Sequence, residues 1–388
     1  MTNTIGSSIE GKQLKTLIQE LAWLFRHKGA LIILLGAPIL YALFYPLPYQ
    51  HAVVDDIPLV VWDDEQSNTT RDWINQLDAS AKLNVIATLP GEPNTQVFDR
   101  FSNAQLFIHF PKGLDKNLAS QQQTVIAYGG KADNFLVYSE GVKSMSLVLA
   151  HINQSLALKA FYFSEGNAVT ASAAAQPIEV NVTPLFNADS SYMQYLVPSV
   201  FILIVQQVLM MTLGMHWGYR FEMDRDVGPV FYVWLAHIAI YSLQGLALIV
   251  FFFRIMLPLQ GVPYTADGLR LLSVALPFVL AVVGFAMVVS VLFKEQESAI
   301  IWLLPLSVPI MLMAGISWPN FAMASWVQVL AQCIPSTWGM NALIDVAFIG
   351  HLPNYKVGWT GAFIWLSLAL CVRKIVVDRV PVVAPSIV

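Results

Sequence analysis

Six long apolar stretches decide what this chain can fold into. They run from Gly29 to Tyr45, about Tyr192 to Met215, about Val230 to Leu257, Leu271 to Phe293, Ala299 to Ile316 and about Val357 to Val376. A helix needs ~20 apolar residues to cross the ~30 Å hydrocarbon core of a bilayer, and each stretch approaches that length. Only 12% of the 388 residues are charged, against about 25% in soluble domains. The 11 Trp suit aromatic belts at the two interfaces. An ordinary soluble enzyme and a disordered chain are excluded. Two cysteines, Cys333 and Cys371, make neither a disulfide framework nor a metal cluster.

Orientation follows from lysine and arginine in the short loops. Lys12, Lys15, Arg26 and Lys28 precede the first stretch, Arg220 and Arg225 separate the second and third, Lys294 follows the fourth, and Arg373, Lys374 and Arg379 close the sixth. The opposite short loops hold only Arg270 and Lys356. Both termini are therefore expected in the cytoplasm, with residues 1–28 as the cytoplasmic N-terminus. Tyr45-Pro46-Leu47-Pro48-Tyr49 offers no small-residue cleavage site, so 29–45 reads as an uncleaved anchor. Residues 46–191 then lie outside, with 15 acidic against 8 basic residues.

That outer segment has a soluble composition. Ile57–Trp62, Leu83–Leu89, Ala104–Phe110, Thr124–Tyr128 and Ile178–Val182 read as strands, and Thr69–Leu77, Thr95–Phe101 and Phe135–Glu165 as helices. Strands alternating with helices predict a small α/β domain. The fold class expected is an α-helical polytopic membrane protein of six transmembrane helices, with an α/β extracytoplasmic domain inserted between the first and second. Residues 192–388 hold helices two to six, with a re-entrant segment near 317–356.

On the cytoplasmic side, Leu14, Leu17, Ile18, Leu21, Leu24 and Phe25 recur with helical period, while Lys12, Lys15, Gln19, Glu20 and Arg26 mostly fill the other face. This predicts an amphipathic helix over 10–28 lying on the inner leaflet. It serves as a membrane anchor, or as part of a docking surface for a cytoplasmic partner as well.

Several chemistries are missing from the sequence. It contains no G-x-x-x-x-G-K-[ST] phosphate loop, no H-E-x-x-H and no G-x-S-x-G, so it holds no ATP by a P-loop and matches no common hydrolase signature. The seven His, at 27, 51, 109, 151, 216, 237 and 351, include no pair at helix-face metal spacing, so no metal is expected. His216 reads as an interfacial residue and His237 as a buried neutral one. The stretches carry almost no ionisable group at depth, which argues against a proton relay and for energy supplied by another chain.

Residues 293–346 carry a resemblance. Phe293-Lys294-Glu295-Gln296-Glu297-Ser298-Ala299 leads into an apolar stretch, then Ala314-Gly315-Ile316-Ser317-Trp318-Pro319, Trp326-Val327-Gln328-Val329-Leu330 and Ile334-Pro335-Ser336-Thr337-Trp338. This resembles the signature region of ABC-2-type exporter permeases, in which a Trp-Pro turn and a re-entrant helix pair precede the last span. Val60–Ser67, and Ala104–Gly113 followed by Leu114–Ala119, are similar to the outer domains of such proteins. The loop Arg220–Pro229 departs from the family's Gly-Thr-x-Glu run.

The resemblance implies the transmembrane subunit of an ATP-driven exporter in a bacterial inner membrane. It implies a dimer with a second copy or a paralogue, two ABC ATPase subunits holding ATP and Mg, and a possible periplasmic adaptor. The chain itself needs no cofactor and no nucleic acid. Candidate coupling residues are Leu21, Leu24, Phe25, Arg26, Arg220, Phe221, Glu222, Asp224, Arg225 and Asp226. Gln206, Gln207, Ser242 and Gln244 either glue helices together or line a substrate path. Trp318, Pro319, Pro335 and Trp338 would form a re-entrant outer gate, because proline interrupts helices and irregular backbone at depth must be buried in protein. A membrane-anchored sensor or scaffold, binding a ligand through the outer domain, is the competing reading.

Overall fold

The computed structural model describes residues 18–49, 54–93, 100–101, 103–120, 122–131, 135–165, 191–223, 230–264, 266–350 and 354–379. The expected strand at 178–182, most of the expected helix at 95–101 and residues 10–17 of the amphipathic helix lie outside them; the described part of that helix, residues 18–26, is α1. The chain divides into two compact units, Val53–Thr183 and Met1–Ala52 with Pro184–Val388.

In the smaller unit the period-2 pattern of β1 (Ile57–Asp63) sets the architecture. Ile57, Leu59 and Val61 face one core with Leu106, Ile108, Phe110, Trp73, Leu77, Met145 and Ile152. Val60 and Trp62 face a thinner layer on the other side. β1 pairs in parallel with β2 (Leu83–Leu89) and with β3 (Leu106–Phe110), and β4 (Ala127–Gly130) pairs antiparallel with β3. The order is β2-β1-β3-β4. Helix α2 (Asn68–Asp78) starts on a capping box in which Ser67 and Thr70 exchange hydrogen bonds. Its residues Trp73 and Leu77, with Met145 and Ile152 of α4 (Phe135–Glu165), close the larger core.

The strand order reverses between β1 and β3, where open α/β sheets usually bind ligands beyond the carboxyl ends of the strands. Here the chain fills that place itself. Glu65 accepts hydrogen bonds from the Gly113 and Asp115 amides at the start of α3 (Leu114–Ala119). Asp64 accepts from Gly91 N and lies 3.2 Å from His109 Nε2. Gly113, at φ 86°, supplies the left-handed turn that aims these amides at Glu65.

The larger unit holds, among the described residues, six helices long and apolar enough to cross a membrane: span 1 Lys28–Tyr49, span 2 Tyr192–Glu222, span 3 Phe231–Leu259, span 4 Gly268–Ser290, span 5 Gln296–Met313 and span 6 Tyr355–Val376. The helix of span 6 runs on to Arg379. Span 2 is the central post, buried without a break from Val197 to Gly218. Close approach comes from glycine, as small-residue packing in membranes requires. Gly214 and Gly218 of span 2 lie against Ala299 and the Glu295 backbone, and Gly284 of span 4 lies against the backbone of Trp365 and Leu366. Tyr49 and Tyr192 stack at 5.9 Å, so the chain leaves and re-enters this unit at neighbouring points. Between spans 5 and 6 lie two short helices, α5 (Ser325–Cys333) and α6 (Pro335–Ile344).

Candidate functional site

The site begins with a helix over residues 18–26 that precedes span 1. It ends at His27, whose extended backbone turns the chain and whose Nδ1 accepts the Ala30 amide at 3.2 Å, capping span 1. Ile18, Leu21 and Phe25 are exposed, whereas Trp23 and Leu24 are buried. Glu20, expected on the polar outer face, is instead 6% exposed. An amphipathic period places Glu20 one turn from Leu24, on the stripe that packs inward. Bundle contacts, not the leaflet, claim that stripe.

Glu20 enters a socket built by several spans. One carboxylate oxygen, Oε1, accepts from Arg220 of span 2. The other, Oε2, lies 2.9 Å from His216 Nε2 and 2.8 Å from His237 Nε2 of span 3. His216 Nδ1 meets the Tyr241 hydroxyl at 2.8 Å, and Trp23 stacks flat on the His216 ring at 4.0 Å. Arg373 donates to His237 Nδ1 at 2.7 Å and to the Ser290 hydroxyl of span 4 at 3.3 Å, with its guanidinium 4.5 Å over the Trp217 ring. Burial alone would raise the Glu20 carboxyl pKa. Interaction with His237, and hydrogen bonds from His216 and His237, outweigh it and hold the group well below the ordinary carboxylate range. Glu20 is therefore a buried anion.

Arg373 is not a loop cation beyond span 6 but is 1% exposed inside the helix. Glu20, Arg220 and Arg373 are gathered with two histidines near one end of the spans. The reason is tertiary: the partners come from helices some 200 residues apart, and no spacing along the sequence signals them.

Two histidines and a carboxylate are a familiar metal-ligand set, and the ligand atoms lie within 4.8 Å of one another. The hydrogen bonds do not fit a metal. Arginine can only donate, so His237 Nδ1 accepts from Arg373 and the ring proton sits on Nε2, directed at Glu20. A metal would need that lone pair. The arrangement is a charge-assisted hydrogen-bond junction tying the leading helix to spans 2, 3, 4 and 6.

The other expected residues disperse. Arg26 is exposed and Phe221 half-buried. Glu222 accepts the Gln296 amide at 3.0 Å, tying the end of span 2 to the start of span 5. Asp224, Arg225 and Asp226 lie outside the described residues. Gln206 is fully buried and accepts the Ser336 amide at 2.9 Å, capping α6 and tying it to span 2. Gln207 and Ser242 are buried. Gln244 borders an open apolar groove of about 540 Å³ between the leading helix, span 1 and span 3. Pro335 starts α6 and is buried, and Trp338 packs edge-on against Phe278 at 6.2 Å. Trp318 is 59% exposed, and Pro319 opens a short 3-10 turn.

Residues 28–373 match the model of the ABC-2 family transporter proteins. The chain belongs to the ABC-2 transporter family. No curated protein matches it with significance. As a membrane component of this family, the transporter implies an ABC ATPase partner. The matched region takes in His216, Arg220, His237 and Arg373 but begins after Glu20, so the carboxylate that completes the junction lies outside it.

Proposed function

We propose that this transporter subunit is an export permease. It moves a hydrophobic or amphipathic substrate out of the cytoplasm or inner leaflet and is energised by a separate ATPase. The observation that carries this reading is the Glu20 junction. Span direction alternates, so the end of span 2, the start of span 3 and the ends of spans 4 and 6 lie on one side. The basic short loops make that side cytoplasmic. A push on the leading helix is thereby delivered to four spans through a buried anion rather than through a loop. Coupling runs through Leu21, Leu24, Phe25 and Arg26 on the leading helix, and through Arg220, Phe221 and Glu222 with Asp224, Arg225 and Asp226 beyond. The permease works as a dimer. Residues 53–183 face outward, where they extend the exit path or dock an adaptor. The sensor reading is weaker, because Glu65 occupies the ligand crevice of that unit.

The test is reconstitution. Made together with an ABC ATPase from the same source, the permease is expected to retain it through detergent extraction and to change its ATPase rate several-fold. Failure of both overturns the reading. Orientation is tested separately. In a chain freed of Cys333 and Cys371, a cysteine placed at Ser120 is expected to react with an impermeant maleimide in spheroplasts. Labelling only after lysis would place 53–183 inside.

A further inference from the structure

Two guanidiniums are gathered at the junction: Arg220 donates to the Glu20 carboxylate, and Arg373 stands behind His237, donating to its Nδ1. Arg373 is 1% exposed, and its Nε has no hydrogen-bond partner among the described residues. His237, with its proton held on Nε2 by Arg373, is a donor aimed at the carboxylate. Without Glu20 the pocket would present the Arg220 guanidinium and two imidazole groups to an oxyanion, with Arg373 behind His237 fixing its tautomer, a strong recognition set.

The same helices build an apolar groove beside it. Leu21 follows Glu20 directly, and Leu24 and Phe25 lie one turn on. Ala239 and Ile240 follow His237 within a turn, and Leu243 and Gln244 one turn further. The groove, about 540 Å³ and open at the side, falls in the ~300–1,000 Å³ range of ligand sites. A charged socket within one turn of an apolar groove is complementary to a molecule with an anionic head and a hydrocarbon chain.

We propose that Glu20 is an internal plug and that the permease takes an anionic amphiphile from the inner leaflet. The carboxylate or phosphate head replaces Glu20 between Arg220, His216 and His237, and the chain lies along Leu24 and Leu243. Movement of the leading helix opens the socket, so the element that receives the ATPase stroke also uncovers the site. This rests on the export reading and names its substrate class.

The full-length chain in phosphatidylcholine nanodiscs, without ATPase, is titrated with radiolabelled laurate and with dodecanol at pH 8.5 by scintillation proximity. Glu20→Gln is expected to raise laurate affinity about ten-fold and leave dodecanol unchanged. Leu243→Trp, filling the groove, is expected to lower laurate binding at least ten-fold. The proposal is overturned if Glu20→Gln leaves laurate binding unchanged, weakens it, or tightens both ligands alike. It is equally overturned if Leu243→Trp binds laurate as wild type does, or binds none and changes its oligomeric state, since a second copy would then own the groove. Should Glu20→Gln fail to fold, the Leu243→Trp result decides alone. Failure here leaves ATPase retention standing, so the two readings fail separately.

Discussion

Glu20→Leu is expected to cost the transporter about 3–5 kcal/mol, the penalty for removing one partner of a buried ion pair. The loss is not of one contact. Arg220 loses its carboxylate, and both histidines lose the acceptor they share. The leucine is apolar enough for the site, but the charge balance around the fully buried Arg373 is lost. Thermal unfolding in detergent, followed by tryptophan fluorescence, reads the loss. Glu20→Gln retains acceptors without charge and should fall between the two. The pH dependence has a definite sign. The folded carboxyl pKa is depressed, so its contribution is complete above the unfolded value of about 4.3. It is lost only as pH falls through the folded value. The gap between wild type and Glu20→Leu should therefore stay constant from about pH 6 to 8 and close only in acid. A gap that widens with acidification would mean that Glu20 is not the ionised partner.

Gly284→Leu is the second large effect. A Cβ at Gly284 would stand 2.7 Å from Leu366 N and 2.7 Å from the Trp365 carbonyl carbon. These are backbone atoms of span 6, so no rotamer change makes room. Spans 4 and 6 must separate, and Arg373 with its Ser290 contact rides on that seam. Overpacking of this kind costs on the order of 3 kcal/mol. The expected result is a lowered melting temperature and loss of monodisperse protein on size exclusion. Gly268→Ala, at a position with open space around it, is the control and should behave as wild type. Normal behaviour of Gly284→Leu would contradict the packing of the two spans.

Much of this was legible along the chain. Hydropathy placed all six spans, because a bilayer imposes length and apolarity on each span independently of its neighbours. The parallel strands at 57–63 and 83–89 were readable for a similar reason. Apolar runs bounded by polar turns must be buried. Phe135–Glu165 was readable as one helix because nothing interrupts it. The Pro335 turn was also readable, since proline fits the first turn of a helix, where its missing N–H costs nothing.

The site was less legible. Polar residues along the spans were visible, but their partners were not. Gln206 was open between glue and path until Ser336 was found beside it. Glu20 looked like the solvated face of an amphipathic helix, because the residue period fixes only which side chains share a stripe. Which stripe turns inward depends on what else is there to meet it. His216 and His237 looked unrelated for the same reason: each sits alone on its own helix.

The sequence by itself determined that the chain carries six stretches long and apolar enough to cross a membrane, that basic residues gather at one end of them and that no phosphate loop for ATP is present. These are additive properties, summed residue by residue against water and hydrocarbon. Only the tertiary structure decided that one carboxylate, two arginines and two histidines meet. A buried charge survives only where partners from several helices converge on it, and convergence is a property of packing, not of order along the chain.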